Sequence, residues 1–401
     1  MIINKVPKSE LACRLERFMR EMDATYPAWE ICAVTGSMSM YHLTGTICDG
    51  LLLIRRNQGS VLWVRRSYER SILESDFPDI RPMKNFRDLA SQLASAGSHL
   101  PDTLYLDTAQ ATLEWHGLFS KHIPFTNILP ADKVLLQARA VKSAYELDRI
   151  KRSGALAEHM LIEHLPKMIN DTTTEATAVA DLYALCVRNG HHGVSRFSMK
   201  NTDVTLGHIC FGDNSLYPSV FNGASGSPGY SPAVPTLGSP VRTACAGDLI
   251  YADISLCVEG YHSDKTLIYS YKTGQPENVV AAHTHCLELQ RHAAALLRPG
   301  AKPSEIYREV INMVLPEYKH CFMGAPNRTV PFIGHGVGLY IDELPIIARG
   351  FDAPLESGMT IALEPKIGLE GIGMVGSENT YLVTESGGIS LTGECMEIIV
   401  I

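Results

Sequence analysis

The stretch GDLIYADISLCVEGYHSDKTLIY, Gly247–Tyr269, decides how the chain is read. Asp248–Cys257 has the apolar content of a buried strand, yet it carries Asp253 at its centre. Gly260-Tyr261-His262-Ser263 leads through Asp264 into a second strand, Thr266–Tyr271. An ionised carboxylate in such a strand loses its hydration, so it must be paired, protonated or bound to a metal. The same anomaly recurs twice. Glu364 closes the run Met359-Thr360-Ile361-Ala362-Leu363, and Glu378 precedes an Asn-Thr-Tyr-Leu-Val strand. A histidine, His335, sits between two glycines in what reads as a Gly-rich turn, Gly334-His335-Gly336.

Taken singly, each carboxylate reads as half of a salt bridge. Together they have the arithmetic of a metal centre. Four carboxylates carry −4, two divalent cations carry +4, and a neutral imidazole adds a borderline ligand. Oxygen-rich donors with one imidazole suit Mn²⁺, Zn²⁺, Co²⁺ or Fe²⁺ better than a thiolate-seeking ion. Two such ions can share a bridging water and make hydroxide available near neutral pH.

Outward from this centre, Gly223–Pro240 (GASGSPGYSPAVPTLGSP) is too rich in Gly, Ser and Pro for a helix and reads as a long, functional loop. Helical patterns precede it at Lys142–Met168 and from Thr173 to about Val187, the second stopping at Gly190. Helices Glu277–Leu297 and Pro303–Leu315 follow it, then strands at Met359–Pro365, Asn379–Thr384 and Glu397–Ile401. Before Lys142 the chain alternates strand and helix. An amphipathic helix follows Lys8, strands run Ile31–Val34, Leu51–Ile54 and Val61–Val64 with a hairpin turn at Asn57-Gln58-Gly59, and a helix spans Asn85–Ala94. A boundary near Lys142 therefore separates a small α/β domain, 1–141, from a second domain, 142–401.

Composition excludes other classes. The chain has 401 residues, a net charge of −8, 45% apolar and 19% charged residues, which is ample for two cores and lacks the basic footprint of a nucleic-acid binder. No apolar run is long enough for a membrane span, and Met1–Leu15 lacks the apolar core of a signal peptide. The ten cysteines are scattered without a CxxC pair, the usage of a reduced, cytoplasmic protein. His191-His192 has no ligand partner at a useful spacing and reads as a surface pair.

Gly247–Tyr269, Gly334–Pro345 (GHGVGLYIDELP), Gly358–Pro365 (GMTIALEP) and Gly376–Val383 (GSENTYLV) resemble, in order and spacing, the pita-bread fold metallopeptidases: Xaa-Pro dipeptidase (prolidase), aminopeptidase P, methionine aminopeptidase and creatinase. Tyr41-His42-Leu43-Thr44-Gly45 and Lys142–Ile150 are similar to segments of the family's N-terminal domain and of the helix opening its catalytic domain. The resemblance implies an α/β (α+β) chain, a creatinase-like N-terminal domain before a pita-bread domain with a curved antiparallel sheet. It puts Asp253, Asp264, His335, Glu364 and Glu378 at the five metal-ligand positions, and implies two divalent ions, Mn²⁺ foremost, a small peptide substrate and a homodimer. Two positions depart from the family pattern. Ser219 and Asp342 stand where family members carry substrate-side histidines. Serine does not titrate near neutrality, and aspartate differs in charge and reach. His208, Asp342 and Glu343 are then the expected proton-handling residues, and Ser219, Arg349 and Tyr340 the expected substrate contacts. The implied reaction is hydrolysis of an amide C–N bond. The alternative is a lyase or amidohydrolase acting on a small, cationic metabolite with Asp342 as base.

Overall fold

A computed structural model describes residues 4–97, 100–199, 202–326, 328–394 and 396–401. The chain divides into two compact units, 1–139 and 140–401, two residues before the boundary read from sequence.

The first unit is built on a six-stranded sheet. Its order is Ile80–Pro82, Gly59–Arg66, Asp49–Arg55, Ile31–Val34, Thr103–Leu106, Asn127–Pro130. The central hairpin forms around Gly59, whose φ of 79° suits the tight turn. The helix Lys8–Thr25 buries Leu11, Phe18 and Met22, one stripe at helical spacing. Asn85 caps Phe86–Ser95 by accepting the Asp88 amide at 3.0 Å.

The second unit is organised by a nine-stranded sheet. The main path runs Glu343–Ala348, Phe332–Gly336, Thr360–Leu363, Glu378–Thr384, Tyr261–Ser270, Leu249–Val258, Gly207–Phe211, with antiparallel neighbours throughout. Both faces are covered, which explains the unbroken apolar runs. Leu249 and Tyr251 pack into a core with Val279, Leu289, Ile306 and Val310 from helices Glu277–Leu296 and Pro303–Met313. Their neighbours Ile250, Ala252 and Ile254 face a second core with Leu161, Val179 and Leu182.

Three sequence expectations change. The long helix from Lys142 starts at Ala144 behind a capping box, Ser143 with Glu146, then passes through a π turn at Met160–His164 into Leu165–Met168. Pro166 lies at the start of that last piece and has no N–H to continue the α ladder. His191 is buried rather than superficial, and its Nδ1 accepts the Cys257 amide at 3.0 Å, while His192 is exposed. Gly334-His335-Gly336 belongs to a strand, not a turn. The glycines are there because side chains do not fit: a Cβ at 334 would stand 2.3 Å from the Ala362 carbonyl, and one at 336 would stand 2.2 Å from that of Leu344.

Candidate metal centre

Sheet register brings the carboxylates together. Asp253 lies opposite Thr266, Asp264 opposite Ser255, and Thr266 opposite Glu378, so the three acids share one face. Glu364 follows the strand Thr360–Leu363, whose Ala362 pairs with His335. Asp253, Asp264, His335, Glu364 and Glu378 all line a single cavity. Within it, one ligand atom each from Asp264, His335 and Glu378 lie within 4.8 Å of one another, close enough for one ion. His335 Nδ1 is 3.2 Å from the Gly336 carbonyl, which suits Nδ1–H donating there and turns Nε2 toward the carboxylates. Nε2 lies 3.4 Å from Glu364 Oε1 and 3.8 Å from Glu378 Oε1. The carboxylate of Asp264 is buried and accepts no hydrogen bond from any described residue. Burial, then Glu378 and Asp253, push its pKa well above the usual carboxylate range.

The Asp253 side of the cavity holds a cation of the chain's own. Lys366 Nζ lies 2.7 Å from Glu378 Oε2, 3.0 Å from Glu364 Oε2 and 3.3 Å from Asp253 Oδ2. Asp253 Oδ2 also accepts the Tyr251 hydroxyl at 2.8 Å. Burial works against the lysine's charge, but Asp253, Glu364 and Glu378 outweigh it and hold the ammonium well above the usual lysine range. The charge balance read from sequence omitted this residue: four ionised carboxylates with Lys366 carry a net −3. A divalent ion about 4 Å from that ammonium would meet a repulsion of roughly 8 kcal/mol at an effective dielectric constant near 20. The donors of Asp264, His335 and Glu378 fit a divalent ion, while the Asp253 side of the expected two-ion site already holds the ammonium of Lys366. The sequence signal was a lysine between Pro365 and Ile367 in an otherwise apolar run, which reads equally well as the exposed end of a strand.

Of the other expected site residues, only His208 lines the cavity. It pairs with Asp253 across the sheet, stacks on Tyr251 at 5.7 Å, and its Nε2 is 2.9 Å from Ser225 Oγ. Burial lowers its pKa, against the pull of Asp253. Asp342 is turned elsewhere, its carboxylate accepting the Ser198 amide at 2.5 Å and hydroxyl at 2.7 Å. It is not among the residues that line the cavity. Glu343 is buried against Lys142 Nζ at 3.4 Å and accepts the Tyr340 amide at 3.3 Å, which engages it in structure away from the cavity. Ser219 donates to the Phe221 carbonyl at 3.2 Å, Arg349 is exposed, and neither they nor Tyr340 contribute to the cavity wall. The wall is made instead by Phe197, Phe221 and Ile341, and by Gly223, Ala224, Ser225, Ser227 and Thr236 of the Gly/Ser/Pro loop.

Residues 148–385 match the model of metallopeptidase family M24, and residues 14–141 that of the creatinase/prolidase N-terminal domain. The chain is 30% identical to the probable dipeptidase PepE of Mycobacterium tuberculosis over 278 residues, 68% of this chain and 64% of that protein. The match thus spans less than two thirds of that relative's length. The Xaa-Pro dipeptidase of Pyrococcus furiosus is 22% identical over 94% of this chain and 97% of its own. The prolidase structure from Pyrococcus horikoshii OT3 superposes with a TM-score of 0.78 at 21% identity, covering 96% of this chain and 99% of that one. The likeness establishes the pita-bread fold with its creatinase-type N-terminal unit.

Proposed function

We propose, from the premise that this chain belongs to metallopeptidase family M24, that it hydrolyses an amide C–N bond in a small peptide-like substrate with the help of a divalent ion. The observation that carries this reading is the convergence of Asp264, His335 and Glu378 on one point of a buried cavity. Dipeptidase relatives support the substrate class. Two carboxylates and one imidazole favour Mn²⁺, with Zn²⁺, Co²⁺ and Fe²⁺ as competitors. Such an ion polarises a carbonyl and lowers the pKa of water. The chain's residues do the rest. Phe197, Phe221 and Ile341 limit water in the cavity, and the neutral imidazole of His208, backed by Ser225, is the group suited to hold a proton at its wall.

The test is hydrolysis of a dipeptide panel, Xaa-Pro and proline-free, by protein that is chelated and then resupplied with Mn²⁺. Activity should disappear with the ion and return with it. Turnover that survives exhaustive chelation would overturn the reading. A second reading, C–N hydrolysis or elimination on a small non-peptide metabolite, is favoured by Ser219 and Asp342 standing where family peptidases keep histidines. Metal-loaded protein that leaves every dipeptide intact would point to it. We also propose a homodimer, carried over from the family resemblance and open to light scattering. The nine described cysteines are free, which supports a reducing, cytoplasmic setting. No helix among the described residues is long and apolar enough to cross a membrane.

A further inference from the structure

We infer that the ammonium of Lys366 takes the place of one of the two metal ions implied by the five-ligand set, leaving a mononuclear centre on Asp264, His335 and Glu378. The inference rests on the metallohydrolase reading above and refines it.

The two halves of the cavity differ in what their oxygens already hold. On one side, Nζ of Lys366 reaches Asp253, Glu364 and Glu378 at 3.3, 3.0 and 2.7 Å. Asp253 Oδ2 also takes the Tyr251 hydroxyl, and Glu378 Oε2 takes that of Thr266 at 3.0 Å. These oxygens are supplied with donors and with a positive charge, which is what a metal would otherwise bring them. On the other side, the buried carboxylate of Asp264 accepts no hydrogen bond from a described residue and faces His335 and Glu378. One half is complete without an ion and the other is not. Charge agrees. With −3 from the chain, one divalent ion leaves −1, whereas two would leave +1 beside a buried ammonium. Local packing also accommodates the lysine. It pairs in register with Gly376, and a Cβ there would stand 3.1 Å from Lys366 Cγ and 2.3 Å from the Pro365 carbonyl. Lysine is suited to this place because it is a compact point charge with three donors, enough for three carboxylates.

The experiment is metal stoichiometry by elemental mass spectrometry on the full chain. Protein is dialysed against excess Mn²⁺ and then freed of loose ions. Lys366→Ala, Asp253→Asn and Asp264→Asn are measured beside wild type, with near-UV circular dichroism as the check of folding. Wild type should hold one ion, Lys366→Ala two, Asp253→Asn one, and Asp264→Asn none. Asp253→Asn keeps the test decisive if Lys366→Ala fails to fold, because a dinuclear centre would lose an ion with that aspartate. Two ions in wild type would overturn the inference and leave the metallohydrolase reading intact. One ion in both wild type and a folded Lys366→Ala would remove Lys366 as the cause. No ion in wild type would overturn the metallohydrolase reading itself, and the inference with it.

Discussion

At the scale of single residues, the site is a set of buried charges that differ in how they are satisfied. Burial works against the charge of Asp253 and Glu364, but Lys366 outweighs it and holds both below the usual carboxylate range, whereas burial lifts Glu378 to about 7 against the pull of Lys366. His208 belongs to the same wall but not to the charge cluster. Its ring lies between Tyr251 at 5.7 Å and Phe221 at 5.3 Å, and desolvation keeps it neutral. A neutral imidazole at hydrogen-bond distance from Ser225 can take a proton without first losing one. His208→Gln can still bond to Ser225 but cannot titrate. If His208 handles a proton in turnover, that variant should lose about 10²-fold or more in kcat, with metal content and melting temperature near wild type. Unchanged kcat would assign His208 to packing alone.

At the scale of elements, the long loop across the cavity is held by one acidic residue far away in sequence. Glu175 opens the helix Glu175–Arg188 and is fully buried. Its carboxylate accepts the Phe211 amide at 2.7 Å, Asn214 Nδ2 at 2.9 Å and the Ser239 amide at 2.8 Å, tying both ends of the segment that lines the site. Truncation to alanine would orphan three donors at about 1–3 kcal/mol each. Glu175→Ala should therefore lose about 3 kcal/mol or more of stability in urea unfolding, and the tip of 228–236 should be cut faster by protease. Glu175→Gln, which keeps one acceptor, should fall between. Equal cutting rates in all three proteins would detach the loop from Glu175. This anchor also marks the limit of what was legible in the sequence. The metal-type residues stood out because a carboxylate inside an apolar strand is costly and therefore conspicuous. The strand–helix alternation of the first unit was legible from periodicity. Glu175, by contrast, looks like an ordinary acid in a first helical turn, and its partners lie 36, 39 and 64 residues on. Lys366 escaped for the same reason. Its meaning comes from register across the sheet, which no local pattern encodes.

At the scale of the whole molecule, the two units carry buried titrating groups whose linkage to stability has opposite sign. In the first unit, burial lifts Asp107 from 3.8 to about 6, outweighing donors from Thr35 and Gly36, and Asp132 adds to the rise. The folded unit binds that proton more tightly than the unfolded chain, so its stability is greatest at low pH and declines as pH rises through about 6. In the second unit, burial depresses His191 from 6.5 to about 4, against backbone bonds to Thr205 and Cys257, and with His192 adding to the depression. Here the unfolded chain takes up the proton first, so stability is full above 6.5 and declines as pH falls toward 4. Between pH 7.5 and 5.5 these groups should stabilise the first unit by about 1 kcal/mol and destabilise the second by a similar amount. The units can be followed separately, because all three tryptophans, Trp29, Trp63 and Trp115, lie in the first. Tryptophan fluorescence then reports on the first unit and far-UV circular dichroism on both. Acidification to pH 5.5 should raise the urea midpoint seen by fluorescence and bring in an earlier transition seen by dichroism. Asp107→Asn should abolish the first shift, and His191→Gln should reduce the second, with His262, depressed by burial to about 4 as well, supplying much of the remainder. Midpoints that fall together in both probes, and stay together in both variants, would mean that neither group governs the acid response.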